Sequence, residues 1–445
     1  MHYLNPYNVK EAHETTRGRQ NMGRHSRSSS STPSPVDPTQ PAGHGKNSNR
    51  IVAMIGPAFV AAVAYVDPGN VAANISAGAR YGYLLVWVLV LANAMSVVVQ
   101  YQSAKLGLVT GKSLPQVLGQ RLSRTPRLLY WIQAELVAAA TDLAEIVGGA
   151  IALNLLFDLP LIWGGIVIGL VSLLLLALQG QQKQRVFETI VIGLLLVITI
   201  GFVAGLFIDR PSASGVLGGL VPRFSDNGSV LIAASMLGAT VMPHAIYLHS
   251  SLVNDHFTSA SRPTKRLLRA SKIEITWALL LAGAVNICLL LLAATALSGA
   301  SGTDTIEGAY HAIASALGPI IATLFAIGLL ASSLAATSVG AYAGSEIMQG
   351  LLHREFSLVV RRSITLVPAL IVLALGVEPS WALVISQVVL SFGIPFALIP
   401  LLLCTRSTRI MGEFHDKKPV QVIGGIIAAL IVALNAILIA LTFFG

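Results

Sequence analysis

The sequence predicts an all-α integral membrane protein, and three observations carry that expectation. Of its 445 residues, 54% are hydrophobic and 11% charged, with a mean hydropathy of +0.73. A soluble domain of this size needs about a quarter of its residues charged to cover its surface. Apolar runs of about twenty residues, enough to cross a bilayer as a helix, recur from residue 51 onward. Lys and Arg, finally, gather between alternate runs instead of scattering.

Residues 1–50 are a different material. The stretch RHSRSSSSTPSPVDPTQPAGHGKNSNR is rich in Ser, Pro, Arg and Gly with almost nothing to bury, so residues 1–50 read as a disordered cytoplasmic tail. They contain no apolar segment of the signal-peptide kind. Residues 51–445 read as the transmembrane domain, with eleven candidate spans near 51–78, 83–104, 128–157, 161–180, 187–208, 229–253, 273–298, 318–349, 364–377, 379–404 and 420–443. Only GVEPS separates the ninth from the tenth.

Basic residues test that count independently, because they concentrate in cytoplasmic loops. With the N-terminus inside, the tail and the loops after spans two, four, six, eight and ten hold 26 of the 29 Lys and Arg. Arg80, Arg210 and Arg223 alone fall on the opposite side. The expected topology is therefore a multi-pass cell-membrane protein with a cytoplasmic N-terminus and an extracytoplasmic C-terminus. Topology also accounts for the net charge of +9 without a nucleic-acid partner. Cys288 and Cys404 lie in apolar runs without paired spacing, which predicts neither a disulfide framework nor a zinc site.

The first span contains DPGN at 67–70. Asp67 is its only acid, Pro68 has no N–H to donate, and Gly69 leaves helical dihedrals freely, so the helix is expected to open there. Broken backbone at that depth is tolerated only where protein or a hydrated cavity satisfies it. A second break is expected in span six, at GATVMPHAIYLHS, where Pro243 stands between Met242 and His244. Spans one and six open two five-helix halves that run in opposite directions, and matched breaks in inverted halves point to a secondary transporter with its site at the repeat interface.

The groups at these breaks suit a metal ion. Asp67 and Asn70 offer hard oxygen, and the C-terminal ends of the first half-helices add unpaired carbonyls that favour a cation. Met242 adds soft sulfur, which binds Mg²⁺ or Ca²⁺ poorly while accepting Mn²⁺, Fe²⁺ or Cd²⁺. A single carboxylate at such a site can also carry a proton that a dication displaces.

DPGN in span one together with MPHAIYLHS in span six resembles the Nramp family of divalent metal transporters in its bacterial form. ISQVVLSFGIPFALIPL in span ten and SVGAYAGSEIMQG after span eight agree with it. The resemblance covers residues 51 to about 443 and implies a LeuT-like fold with an inverted 5+5 repeat. It further implies import of Mn²⁺ or Fe²⁺, with Cd²⁺ and Co²⁺ as further substrates, driven by protons through alternating access. Carried onto this chain, the metal ligands are the side chains of Asp67, Asn70 and Met242, the carbonyls of Ala64 and Ala239, and Gln387 in the closed-over state. Ser345 departs from the family pattern, which has Gln there.

For the proton, span three supplies Glu135, Asp142 and Glu145 at i, i+7 and i+10. The first two lie about 20° apart on a helical wheel and the third within about 80° of Glu135. Acids inside a span are costly unless paired or hydrated. Arg361 and Arg362 at the start of span nine are their expected partners, and the family uses such a network for proton passage. A purely structural salt-bridge network reads the same residues equally well. His244, beside the site, exchanges protons near neutral pH, whereas His249 lies about 140° away around the helix and reads more readily as packing.

Other classes fit less well. GLVTGKS at 107–113 has three residues between its glycines where a phosphate-binding loop has four, and its glycine reads as the end of span two. No nucleophile–base pair, haem signature or paired-cysteine motif appears, so neither enzyme activity nor a cofactor is expected. A sodium-coupled amino-acid transporter of the same fold would want a helix N-terminus and small residues facing a substrate carboxylate. A membrane metal sensor would want a sizeable soluble domain. The functional unit is expected to be a monomer.

Overall fold

The computed structural model describes residues 56–177, 184–257, 264–298, 302–303, 305–353 and 358–444. The expected disordered tail lies outside them. Span one begins as α1 (Pro57–Val63), tightens into a 3-10 turn over Ala64–Val66, and restarts as α2 (Pro68–Tyr81). There follow α3 (Val86–Thr110), a short α4 (Leu114–Arg121), α5 (Arg124–Phe157), α6 (Leu161–Ala177), α7 (Gln184–Val203) and α8 (Ala213–Gly219). The second half comprises α9 (Asn227–Thr240), α10 (Pro243–Phe257), α11 (Thr264–Ala296), α12 (Ile306–Leu317), α13 (Pro319–Leu352), α14 (Leu358–Ala374) and α15 (Pro379–Arg406). A single turn, α16 (Thr408–Met411), leads to α17 (Lys418–Phe444).

Local chemistry sets these boundaries. Pro57, Pro68 and Pro319 occupy first turns, where a missing N–H costs nothing. Ser113 and Gln116 form a capping box on α4. Gly111 ends α3 in the left-handed region at φ 64°, so the glycine of GLVTGKS is a helix stop. Gly376, at φ 66°, lies between α14 and α15, within the connection where the sequence offered only GVEPS.

Among the described residues, eight helices are long and apolar enough to cross a membrane: α3, α5, α7, α9 with α10, α11, α13, the end of α15, and α17. The expected eleven is not reached by length and composition. The break divides span one, α6 is a shorter apolar helix, and α14 has 17 residues that include Arg361 and Arg362. Large apolar side chains such as Leu129, Trp163, Leu174, Trp277 and Ile320 stay exposed, the surface expected of a bilayer-embedded chain and unlike that of a soluble one. The chain is thus a multi-pass membrane protein.

The two longest helices, α5 and α13, pack against each other at the centre, and α14 and α15 flank α5. Beside span one, α11 grips both of its halves. Glu274 of α11 accepts from the N–H groups of Gly56 (2.9 Å) and Ala58 (3.1 Å), capping α1 from outside. Asn286 donates to the carbonyl of Tyr65 at 2.7 Å and accepts from Asn74 of α2 at 2.9 Å. Farther along, a Cβ on Gly78 would lie 2.3 Å from the carbonyl oxygen of Leu290, so α2 and α11 meet almost backbone to backbone.

Candidate metal site

Both expected breaks are present. At the first, Asp67 leaves the helical region (φ −79°, ψ 167°) and caps α2. Its Oδ1 accepts from the N–H of Asn70 at 2.8 Å and from the side-chain amide of Asn70 at 2.7 Å. The carbonyls released before it are partly claimed by other helices. That of Tyr65 is taken by Asn286 and that of Val66 by the hydroxyl of Ser332. Ala64 is four residues before Pro68, which has no N–H to offer its carbonyl an α-helical partner.

At the second break, α9 ends at Thr240, Val241 turns away at φ −98° and ψ 81°, and α10 starts at Pro243. Met242, fully buried, sits in the gap. The Asn70 amide, besides bonding Asp67, donates to the carbonyl of Ala239 at 3.1 Å, so the two breaks touch. Gln387 of α15 completes the enclosure: a Cβ on Gly69 would lie 1.8 Å from its Nε2.

The chemistry of this enclosure lies in its unpaired acceptors. Asp67 Oδ2, Asn70 Oδ1 and Gln387 Oε1 are buried without a hydrogen-bond partner. Buried polar atoms are nearly always paired, and leaving several together is expensive unless a ligand meets them. The donor set is one carboxylate and two amide oxygens, and the adjoining break in span six buries Met242.

The span-three acids and the tandem arginines also meet. Arg361 pairs with Glu135 at 2.9 Å and also donates to the carbonyl of Ala341 at 3.3 Å. Arg362, completely buried, pairs with Asp142 and donates through Nε to the hydroxyl of Ser172 at 3.2 Å. Glu145 differs: both carboxylate oxygens are buried without a hydrogen-bond partner, and neither arginine forms an ion pair with it. The expectation of arginine partners thus holds for two acids of the three.

His244, next to the second break, is buried with neither ring nitrogen bonded. His249 bonds through Nδ1 to the side-chain oxygen of Gln100 at 2.7 Å, and the same amide donates to the Tyr65 hydroxyl at 2.7 Å. That chain ties α10 to the turn before the first break.

Sequence reasoning overlooked several residues that build the site. Asn286 and Ser332 hold the freed carbonyls, and Gly148 of α5 admits Pro68, whose Cβ would lie 2.3 Å from an added methyl. Uncharged and common in membrane helices, they give no signal until their neighbours are known.

Comparison with known proteins shows the family and the fold. A family profile described as Natural resistance-associated macrophage protein-like matches residues 58–441. A divalent metal cation transporter MntH of Mycobacterium tuberculosis (strain H37Rv) is 56% identical over 394 residues, covering 88% of this chain and 92% of its own length. The crystal structure of a manganese transporter from Eremococcus coleocola, in complex with an aromatic bis-isothiourea substituted compound, superposes with a TM-score of 0.80 at 30% identity. That match covers 89% of this chain and 87% of the other. MhsT, solved with L-phenylalanine, shares the fold alone, with a TM-score of 0.57 at 13% identity over 85% of this chain and 98% of its own. On the breadth of these matches, the chain has the LeuT-like fold and belongs to the Nramp family.

Proposed function

We propose that this protein is a proton-coupled secondary transporter that imports divalent transition metal ions by alternating access, Mn²⁺ foremost and Fe²⁺, Cd²⁺ and Co²⁺ through the same donors. One observation carries the reading: the two helix breaks, joined by the Asn70–Ala239 bond, leave Asp67 Oδ2, Asn70 Oδ1 and Gln387 Oε1 unpaired and buried around the gap that holds Met242. The relatives' names, a divalent metal cation transporter and a manganese transporter, support it.

In this reading Asp67 supplies charge, Asn70 and Gln387 supply neutral oxygen, and the Ala64 and Ala239 carbonyls extend the shell as the helices shift. Met242 supplies the sulfur that disfavours alkaline earths. The carboxylate of Asp67 binds either a proton or the dication. The released proton travels along α5 past Glu145, Asp142 and Glu135, with Arg361 and Arg362 balancing charge and His244 and His249 as the imidazoles assigned to the route. Eleven spans, a cytoplasmic N-terminus in the cell membrane, the extracytoplasmic C-terminus and action as a monomer complete the proposal. Neither a cofactor nor a catalytic reaction enters it.

The test is Mn²⁺ uptake by the full chain in proteoliposomes with and without an imposed pH gradient. Uptake that accelerates when the outside is made acid supports the reading. Uptake indifferent to the gradient removes proton coupling, and Mn²⁺ binding without accumulation would make the protein a sensor. Stabilisation by an amino acid and not by Mn²⁺ in detergent melting would overturn the substrate.

A further inference from the structure

Hydroxyls on the helices of this chain mostly bond back to their own helix. Thr141 donates to Val137, Thr199 to Leu195, Thr240 to Met236 and Ser338 to Leu334, each to the carbonyl four residues earlier. That is the low-cost arrangement for a hydroxyl in an apolar setting. Ser332 and Ser333, adjacent on α13 and fully buried, do otherwise. The hydroxyl of Ser332 donates to the carbonyl of Val66, and that of Ser333 to the backbone carbonyl of Glu145. Neighbouring residues point about 100° apart around a helix, so α13 reaches two different elements from one point.

Both bonds fill specific needs. Val66 immediately precedes Asp67, and the N–H that an unbroken helix would give its carbonyl, that of Asn70, is instead bonded to Asp67 Oδ1 at 2.8 Å. Ser332 supplies the bond that the break removes. Ser333 reaches Glu145 only because Gly149 is beside it: a Cβ there would lie 2.3 Å from the Ser333 hydroxyl oxygen. The preceding residue, Gly148, makes the same kind of room for Pro68. One turn beyond Glu145, then, α5 admits the broken helix at one glycine and the serine at the next.

We propose that Ser332 and Ser333 are positioning residues that fasten the backbone beside Asp67 and the backbone carrying Glu145 to one helix, so that a shift at the ion site is passed to the acid of the proton route. The proposal rests on the transport reading given above. It assigns to two uncharged side chains the mechanical link between metal and proton.

The experiment follows Mn²⁺ and proton entry together in proteoliposomes holding the full chain, using a pH-sensitive dye inside. The proteins compared are wild type, Ser332→Ala, Ser333→Ala, Ser333→Thr and Gly149→Ala. Ser332→Ala is expected to raise the KM for Mn²⁺ about fivefold, the worth of one hydrogen bond at the site. Ser333→Ala is expected to lower the protons entering per Mn²⁺ by about twofold or more, the usual size of a coupling effect. Gly149→Ala, which leaves the hydroxyl present and blocks its approach, is expected to do the same, and Ser333→Thr to retain the wild-type ratio. If Ser333→Ala keeps the wild-type ratio and differs only in melting temperature or yield, the bonds merely hold the fold and the proposal falls. A wild type that carries Mn²⁺ without protons would instead overturn the reading beneath it, and the wild-type traces alone separate the two failures.

Discussion

The side-chain amide of Asn70 donates to the carbonyl oxygen of Ala239 across 3.1 Å, although the two positions are 169 residues apart in the chain. One side chain therefore closes the first break on itself, through Asp67, and also holds it against the second. Asn70→Ala should lose the oxygen that faces the gap and the tie between the breaks together. Mn²⁺ uptake is expected to show a KM raised about tenfold or more, two interactions being lost. An unchanged KM would place Asn70 outside the shell.

Met242 is fully buried in the gap between α9 and α10. Were it only packing, a shortened side chain would change stability and leave ion preference alone. As the sulfur donor of the proposed site it would instead filter against hard ions. Met242→Ala is expected to keep part of the Mn²⁺ transport while Ca²⁺ or Mg²⁺ becomes an effective competitor, read from inhibition of Mn²⁺ uptake by each ion.

Gly69 faces the side chain of Gln387, which a Cβ would overlap at 1.8 Å. Gln387 is long and can swing aside, so Gly69→Ala should cost the fold little and the site much. The expected pattern is a melting temperature close to wild type with Mn²⁺ affinity reduced about tenfold, as misplacing a single group can do. Isothermal titration with Mn²⁺ alongside thermal unfolding distinguishes this from a general loss of stability.

Arg362 is completely buried and pairs with Asp142, itself 2% exposed. Removing one partner leaves an uncompensated charge, so Arg362→Met should destabilise by about 3 to 5 kcal/mol. Asp142→Leu added to it should recover most of that loss, because an apolar pair of similar volume packs without the desolvation cost. Thermal unfolding in detergent gives the stability. On the proposed proton route, proton entry should stay defective in both variants, since neither restores the acid–arginine pair.

Asp226 caps α9, accepting from the N–H of Ser229 at 2.7 Å and from the Tyr81 hydroxyl at 3.0 Å. The Ser229 N–H chiefly, with help from Tyr81, holds its carboxyl below the usual carboxylate range. A group with a depressed folded value contributes stability above its unfolded value and loses it as pH falls through the folded one. The melting advantage of wild type over Asp226→Ala should therefore be greatest near neutral pH and shrink on acidification below the usual carboxylate range. A gap that widens in acid would reverse the sign and refute the assignment.

What the sequence revealed follows from chemistry that local pattern carries. Pro68 and Pro243 cannot sit in an unbroken ladder of hydrogen bonds, so both breaks were legible, Asp67 stood out as an acid in apolar surroundings, and Met242, ordinary packing elsewhere, drew notice only through its neighbour Pro243. The spacing of Glu135 and Asp142 announced a charged face, and Arg361 and Arg362 answer it. Glu145 belonged to the same pattern, yet its carboxylate is buried without a hydrogen bond, which spacing along one helix does not reveal. The Gln100 bridge to His249 and the serine and glycine contacts on α13 and α5 depend on helices crossing at one depth. No window of sequence encodes that depth. Count, too, was only partly readable, because a divided span and two short helices resemble fragments when judged by length.

Helix α11 touches span one through Glu274, Asn286 and the Leu290 carbonyl, over about 24 Å of its length at 1.5 Å per residue. It works as a splint across a fracture. Neither fragment of the broken helix can tilt relative to the other without loosening one of those three grips. Substitutions along α11 that never meet an ion should therefore set how fast the protein turns over, and engineering its pace begins on that helix rather than among the ligands.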